Sequence, residues 1–330
     1  MSAAAPACTV VVCTRSRPAL LDRCLAAVSA LTYPGFDVLV VDNAPPDSQA
    51  RAVAGRWRTR YILEPRRGLS RARNAGARAS ASAVLAYLDD DAVPEPSWLD
   101  ALTAEFADPR VMAATGRILP IEETQAPDIR AWRAGLDCGA ERRAVDRDTP
   151  HWFEMANFGG VGDGGSMAIR RAAFEHWPGF HERLGRGALV NGGEEHHAFF
   201  SLVDRGFRVV YTPHARVRHP FPGTAADLRR RQLRDATAAA AYMTLLFVEE
   251  PRYRRRVLSY VAGWLGGARR TWRANRVPAA SRLAARWRML AAYGAGPLLY
   301  ACSRVTGSWP LADAPGRALG GASGVLDLPR

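Results

Sequence analysis

Up to about residue 107 the chain alternates short, unbroken apolar runs with amphipathic stretches. Cys8 to Cys13 is followed by Pro18 to Leu31, Asp37 to Val41 by Asp47 to Trp57, Tyr61 to Leu63 by Leu69 to Ala79, and Val84 to Leu88 by Pro96 to Phe106. The first member of each pair has the length and β-branched content of a strand and the second has helical spacing, so the rhythm predicts βαβ units on a parallel sheet. Runs such as Thr9-Val-Val-Val-Cys13 lack polar alternation, as expected of strands covered by helices on both faces. Ligands of open α/β sheets sit outside the carboxyl ends of the strands. The residues that follow the runs are Thr14-Arg15, Asp42-Asn43, Glu64 and Asp89-Asp90-Asp91.

From Ile118 to Pro150 the pattern is irregular and charged, which predicts a long loop with one short helix. The glycine-rich Phe158 to Gly165 (FGGVGDGG) follows, with the character of a hinge or binding loop. It then leads into a predicted strand, Ser166 to Arg170. Glu194 to Arg205 reads as a helix, and Arg208 to Tyr211 and Ala215 to His219 as two short strands. Beyond Thr224 the pattern is helical and arginine-rich to about Val305, in three segments broken near Pro251 and Pro278, and then becomes a loose tail rich in Gly, Pro and Ala.

Composition sharpens this picture in two places. The 330 residues are 48% hydrophobic, enough for one large or two ordinary domains, which excludes disorder and fibrous repeats for most of the length. All 45 basic residues are arginine, and they are unevenly spread: 25 arginines face 26 acids through Ala215, but 20 face only 6 thereafter. Such asymmetry suggests a surface that meets an anionic membrane, a phosphorylated substrate or nucleic acid, the plainer alternative being a solvated helix face. No nucleic-acid motif accompanies the charge, so nucleic acid is not expected as a partner.

The five cysteines are scattered with no CxxC pair, so neither a zinc knuckle nor a disulfide framework is indicated, and a reducing cytoplasm is the simplest setting. The start of the chain lacks a basic leader before its apolar run, unlike a secretory signal. Ala236 to Val248 and Met289 to Cys302 are shorter than the ~20 apolar residues needed to span a bilayer, so contact with a membrane is expected only from helices lying on its surface.

The strongest chemical signal is Tyr87-Leu-Asp-Asp-Asp91, three adjacent carboxylates at the end of an apolar run. Their mutual repulsion costs stability unless a cation or strong donors neutralise it. Hard oxygen ligands suit Mg²⁺ or Mn²⁺, which typically take one or two carboxylates and complete their shell with water and substrate phosphate. The plainer reading is an acidic turn capping the helix that starts near Ser97; position at a strand's carboxyl end favours the cation. In Gly192-Gly-Glu-Glu195 the glycines permit close backbone approach, and a carboxylate there has the chemistry of a general base, although two acids also simply suit a helix N-terminus.

Taken in order, VVVCTRSRP, VLVVDN, GLSRARNAG, YLDDDAVPEPSWL, GSMAIRR, PGFHERLGRG, GGEEHHAFFSLVDRGFRVVYTP and ARVRH resemble a family 2 glycosyltransferase with a GT-A fold, over about Thr9 to His219. The resemblance implies a Rossmann-like, mostly parallel central sheet flanked by helices. It implies a catalytic domain at 1–223, with a nucleotide-sugar half at about 1–118 and an acceptor and base half at about 150–223. A basic helical extension at 224–305 and a tail at 306–330 complete the expected layout. It implies a metal-dependent, inverting transfer from a nucleotide-diphospho-sugar, UDP-linked by default, to a hydroxyl on a glycan, lipid-linked or small-molecule acceptor. Thr14 and Arg17 then line the phosphate cleft, Asp42 bonds the base, and Arg73 and Asn74 lie beside the nucleotide. Asp89 faces the ribose or sugar and Asp90 joins the nucleotide-sugar-binding set, Asp91 binds Mg²⁺ or Mn²⁺ with Asp89, His219 approaches the metal or diphosphate, and Glu195, with Glu194 beside it, is the base.

Four departures from the family's usual wording stand out: Glu194-Glu195 for Glu-Asp, His181 for an acid, Ser166-Met167 for Asn-Met, and His196-His197 for Leu-Asp. All four are expected on the acceptor side, tuning the acceptor or lowering activity to that of a nucleotide-sugar or glycan-binding protein. The histidine trio lacks a metal-ligand spacing. Trp132, Trp152 and Trp177 either stack on sugars or pack in the core. The C-terminal helices mix arginine with Tyr, Leu and Trp, the composition of an interfacial helix on an anionic membrane and equally of a packed appendage.

Overall fold

The computed structural model describes residues 6–47, 49–122, 126–263 and 279–306, so the tail assigned to 306–330 lies outside the described residues apart from Thr306. The strands are β1 (Cys8–Thr14), β2 (Phe36–Asn43), β3 (Arg60–Glu64), β4 (Val84–Asp89), β5 (Val93–Pro94), β6 (Val111–Pro120), β7 (Arg143–Val145), β8 (Ser166–Arg170) and β9 (Arg208–His219). They form one sheet in the order β3-β2-β1-β4-β8-β6-β9-β5, with β7 on β9. The pairs β3-β2, β2-β1, β1-β4 and β6-β9 are parallel, and β8 runs antiparallel between β4 and β6.

The helices are α1 (Pro18–Val28), α2 (Gln49–Arg56), α3 (Leu69–Ala79), α4 (Trp98–Ala104), α5 (Pro127–Ala134), α6 (Trp152–Asn157), α7 (Ala173–His176), α8 (Glu194–Asp204), α9 (Ala225–Glu249), α10 (residues 254–263) and α11 (Ala279–Thr306). Two apolar cores lie on opposite faces of the sheet. Val11, Leu39 and Val41 face α3, α6 and α8, while Val10, Val12 and Val40 face α1, α2 and α4. Successive side chains of a strand point to opposite faces, so a strand buried on both sides needs an unbroken apolar run.

Two details depart from expectation. The stretch expected to be loop with one short helix does carry that helix, α5, but also the end of β6 and the three-residue β7, which pairs antiparallel with β9 and is too short to show a period. The two short strands expected after Arg208 are one strand, β9, whose register against β6 jumps between Gly116/Thr212 and Arg117/Arg216. Only glycine fits at that irregularity, because a Cβ on Gly116 would lie 2.2 Å from the Ala215 carbonyl oxygen.

The C-terminal region packs against the rest of the fold. The Tyr242 hydroxyl on α9 donates to Asn157 Oδ1 (2.5 Å), Tyr253 and Arg252 both donate to Asp204 at the end of α8, and Trp152 stacks on Phe200 beside Tyr253. Helix α11 crosses α9 at Gly296, where a Cβ would come within 2.5 Å of Ala240 Cβ and 2.6 Å of the Ala241 nitrogen. Gly296→Val therefore forces two backbones apart, and a loss of about 1–3 kcal/mol is expected. Thermal or urea unfolding checks it; an unchanged midpoint would show that this crossing does not hold the helices together.

Candidate active site

The three carboxylates after β4 point in different directions. Asp90 is fully buried: it accepts a hydrogen bond from Thr14 Oγ1 at the end of β1 (2.6 Å) and lies 2.5 Å from Arg17 Nη2. Burial pushes its carboxyl up to about 7, against the pull of Arg17. Arg17 Nη1 also donates to Asp91 (2.9 Å), so one guanidinium clamps both acids. Asp89, 29% exposed, turns toward open space.

The carboxyl end of β9 brings His219 to the same point, with Nε2 3.0 Å from Asp91 and 4.0 Å from Asp89. Burial favours the neutral forms of both Asp91 and His219, yet their mutual attraction wins, holding Asp91 at about 2 and raising the imidazole. One ligand atom from each of Asp89, Asp91 and His219 lies within 4.8 Å of the others. Two carboxylate oxygens and an imidazole in that space fit a divalent cation of the Mg²⁺ or Mn²⁺ kind.

Helix α3 supplies Arg73, 3% exposed, which donates to Glu194 Oε1 (3.0 Å) and the Gly164 carbonyl (3.0 Å) and lies 3.7 Å from Asp89. Asn74, next along, turns away: its amide donates to the Phe180 carbonyl and its oxygen accepts from the Phe180 N–H, both at 2.8 Å. Asp42 is fully buried at the end of β2, accepting from the Tyr61 hydroxyl (2.9 Å), and burial raises its carboxyl.

Helix α8 starts at Gly193, whose φ of +85° favours glycine, and presents Glu194 and Glu195 in its first turn. Glu194 is the ion-pair partner of Arg73. Glu195 Oε2 is buried with no hydrogen-bond partner, and burial, Glu194 and Asp163 together raise its carboxyl well above the usual range. The glycine-rich loop closes over this pair: a Cβ on Gly164 would sit 2.9 Å from Glu195 Cβ, and one on Gly165 3.1 Å from Asp89 Oδ2.

A cavity of about 300 Å³ joins these groups. Of the residues expected in the site, Arg73, Asp89, Glu194, Glu195 and His219 line it. Asp91 meets it through the cation triad, whereas Thr14, Arg17, Asp42 and Asp90 stand behind or beside it at the strand ends and turns, and Asn74 turns away from it on α3. The cavity also takes Arg117, Asp163, Arg186, Arg231 and Arg234, none of which was expected there. In a chain with 45 arginines and no lysine nothing marks a particular arginine; Asp163, the one acid in the glycine-rich loop, carried the only readable signal.

The expectation that all four departures lie on the acceptor side is corrected. Ser166 is fully buried and accepts from Trp98 Nε1 (2.9 Å), and Met167 is core. His181 and His197 pack against each other behind the cavity, with Glu249 of α9 3.4 Å from His181. Burial keeps His197 neutral down to about 3. Only Glu194, Glu195 and His196 face the cavity. Trp152 and Trp177 are likewise core residues, and Trp132 packs on Phe221.

A family model described as glycosyl transferase family 2 matches residues 9–177. The chain belongs to glycosyl transferase family 2. Its relatives include the pre-mycofactocin glycosyltransferase of Mycobacterium tuberculosis, 28% identical over 71% of this chain and 45% of that protein. An N-acetylglucosaminyltransferase of Rhizobium leguminosarum is 27% identical over 68% and 53%. The family 2 chain thus spans about half the length of these curated relatives. Among solved structures it is similar to a mannosyltransferase from Pyrobaculum calidifontis in complex with GDP-Man and Mn²⁺, with a TM-score of 0.57, 19% identity, and coverage of 92% of this chain and 88% of that one. The fold is GT-A, as the family 2 motifs implied.

If Asp91 is a cation ligand, Asp91→Asn weakens Mn²⁺ binding at least tenfold, read by Mn²⁺ electron paramagnetic resonance with UDP or GDP present. Equal affinity in variant and wild type would remove Asp91 from the ligand set.

Proposed function

We propose that the protein is a metal-dependent, inverting glycosyltransferase that moves a sugar from a nucleotide-diphosphate donor to an acceptor hydroxyl. The observation that carries this reading is one cavity bounded by the cation triad Asp89, Asp91 and His219 and, across Arg73, by Glu195 with an unpartnered carboxylate oxygen. A cation bound by the triad would neutralise charge on the leaving diphosphate. Thr14 and Arg17 hold the acid turn that presents the triad, Asp42 is assigned to the nucleotide base, and Arg73 aligns Glu194.

Glu195 takes the proton of the acceptor hydroxyl as the oxygen attacks the anomeric carbon on the face opposite the departing diphosphate, which inverts that centre. Its raised proton affinity makes it a stronger base than an exposed carboxylate. The donor nucleotide is UDP or GDP, the latter supported by the GDP-Man complex of the structural neighbour. The acceptor is a glycan, a lipid-linked sugar or a small molecule. Residues 1–223 form the catalytic unit and α9 to α11 its basic extension.

A second reading concerns location, at an anionic membrane surface. Residues 251–306 hold 12 arginines and no acid. Helix α11 exposes Trp287, Leu290, Leu298 and Val305, and α10 exposes Leu258. Among the described residues no helix is long and apolar enough to cross a membrane. Exposed apolar residues bordered by arginine suit an interfacial helix.

Nucleoside diphosphate release from UDP-, GDP- and dTDP-sugars, with Mn²⁺ or Mg²⁺ and with EDTA, tests the chemistry. Turnover of one donor should vanish with EDTA and fall about 10²–10⁴-fold in Glu195→Gln while donor affinity holds within a few-fold. A fully active Glu195→Gln would remove the assigned base, and no donor binding by the wild type would remove the transferase reading. Sedimentation with vesicles should show binding to phosphatidylglycerol but not to phosphatidylcholine, lowered by Trp287→Ser with Leu298→Ser. Equal behaviour with both lipids would discard the membrane reading.

A further inference from the structure

The cavity is lined by both signs of charge. Beside Asp89, Glu194 and Glu195, the arginines Arg186, Arg231 and Arg234 converge on it from two different parts of the chain. Arg186 comes from the loop before α8, while Arg231 and Arg234 come from the first turns of α9. The three guanidiniums repel: burial and then the charges of Arg186 and Arg231 act against protonation of Arg234. The acid paired with them at close range is Asp235, 3.4 Å from both Arg231 and Arg234, while the charge of Arg186 also reaches Asp91. Arg231 is held in place by its position over the Trp132 ring, 5.4 Å from the centroid. Clustered cations with too few acids are the protein half of an oxyanion site.

The same face of α9 fixes which substrate they meet. Arg231, Arg234, Asp235, Ala238 and Tyr242 lie at helical spacings of three and four. Ala238 abuts Gly192 and Tyr242 abuts Gly193, the residues that lead into Glu194 and Glu195. One to two turns earlier on that face, Arg234 and Arg231 line the same cavity as Glu195. The cation triad stands at strand ends, where Arg17 is already committed to Asp90 and Asp91.

Resting on the transferase reading, we propose that Arg186, Arg231 and Arg234 form a subsite for a phosphate or carboxylate group of the acceptor, so that the enzyme glycosylates an anionic acceptor. An anion seated there would orient the acceptor hydroxyl toward Glu195, and a neutral acceptor would leave three like charges uncompensated.

Inorganic phosphate is the probe. Full-length protein is saturated with Mg²⁺ and whichever of UDP or GDP it binds, then titrated calorimetrically with phosphate at constant ionic strength. Phosphate should still bind the saturated wild type, and at least tenfold more weakly to Arg231→Gln with Arg234→Gln, whose circular dichroism and nucleoside diphosphate affinity stay unchanged within twofold. Equal phosphate affinity in the variant, or no phosphate binding by the wild type, would overturn the proposal. So would phosphate exclusion by the nucleotide together with weakened nucleotide binding in the variant, which assigns the cluster to the donor. Failure of the wild type to bind any nucleoside diphosphate overturns the transferase reading instead; phosphate titrated alone then still separates variant from wild type if the anion site is real.

Discussion

The molecule turns on the burial of one guanidinium. Arg73, on the face of α3 that packs against the sheet, is enclosed by Glu194, Asp89 and the Gly164 carbonyl, and neither it nor Glu194 is accessible to water to any useful extent. Removing one partner of such a pair leaves an uncompensated charge in a poorly solvated place, which costs far more than the pair itself contributes. The consequence is geometric. Helix α8, the loop before β8 and the end of β4 are distant in sequence, and their relative positions are fixed because each supplies an acceptor to the same cation.

A second constraint works through backbone proximity. Gly192 and Gly193 let α8 start flush against α9, and Gly164 and Gly165 let the loop before β8 lie on Glu195 and Asp89. Main chain therefore forms the wall where the loop before β8 meets Glu195 and Asp89, and the glycines of the FGGVGDGG stretch make room for protein groups.

The first half of the fold was readable because strands covered on both faces need continuous apolar runs and their helices need amphipathic ones, and both signals are local. β7 was not readable, since three residues carry no period and their pairing with β9 is decided in space. Of the site, the Asp89 to Asp91 turn was legible from its place after a strand. The different fates of its members were not, because Asp90 is withdrawn by Thr14 and Arg17 while Asp89 is left free to face the cavity. The histidines misled for a related reason: His181 and His197 neighbour the carboxylates in sequence but point the other way, into the contact with α9. Arg231 and Arg234, counted with a basic surface when read as sequence, turn inward because their helix lies across the cavity.

The tightness around Gly164 and Gly165 also bears on how the site can vary. A wall built from glycine main chain has no side chain to exchange, and a side chain added at Gly164 or Gly165 would press on Glu195 or Asp89. Diversification of what the cavity accepts falls more easily to lining side chains such as those of α9, which presents a regular helical face with replaceable residues. The helix that looks like an addition to the catalytic sheet is a part of the cavity with freedom to change, and the carboxylates can stay constant while it does.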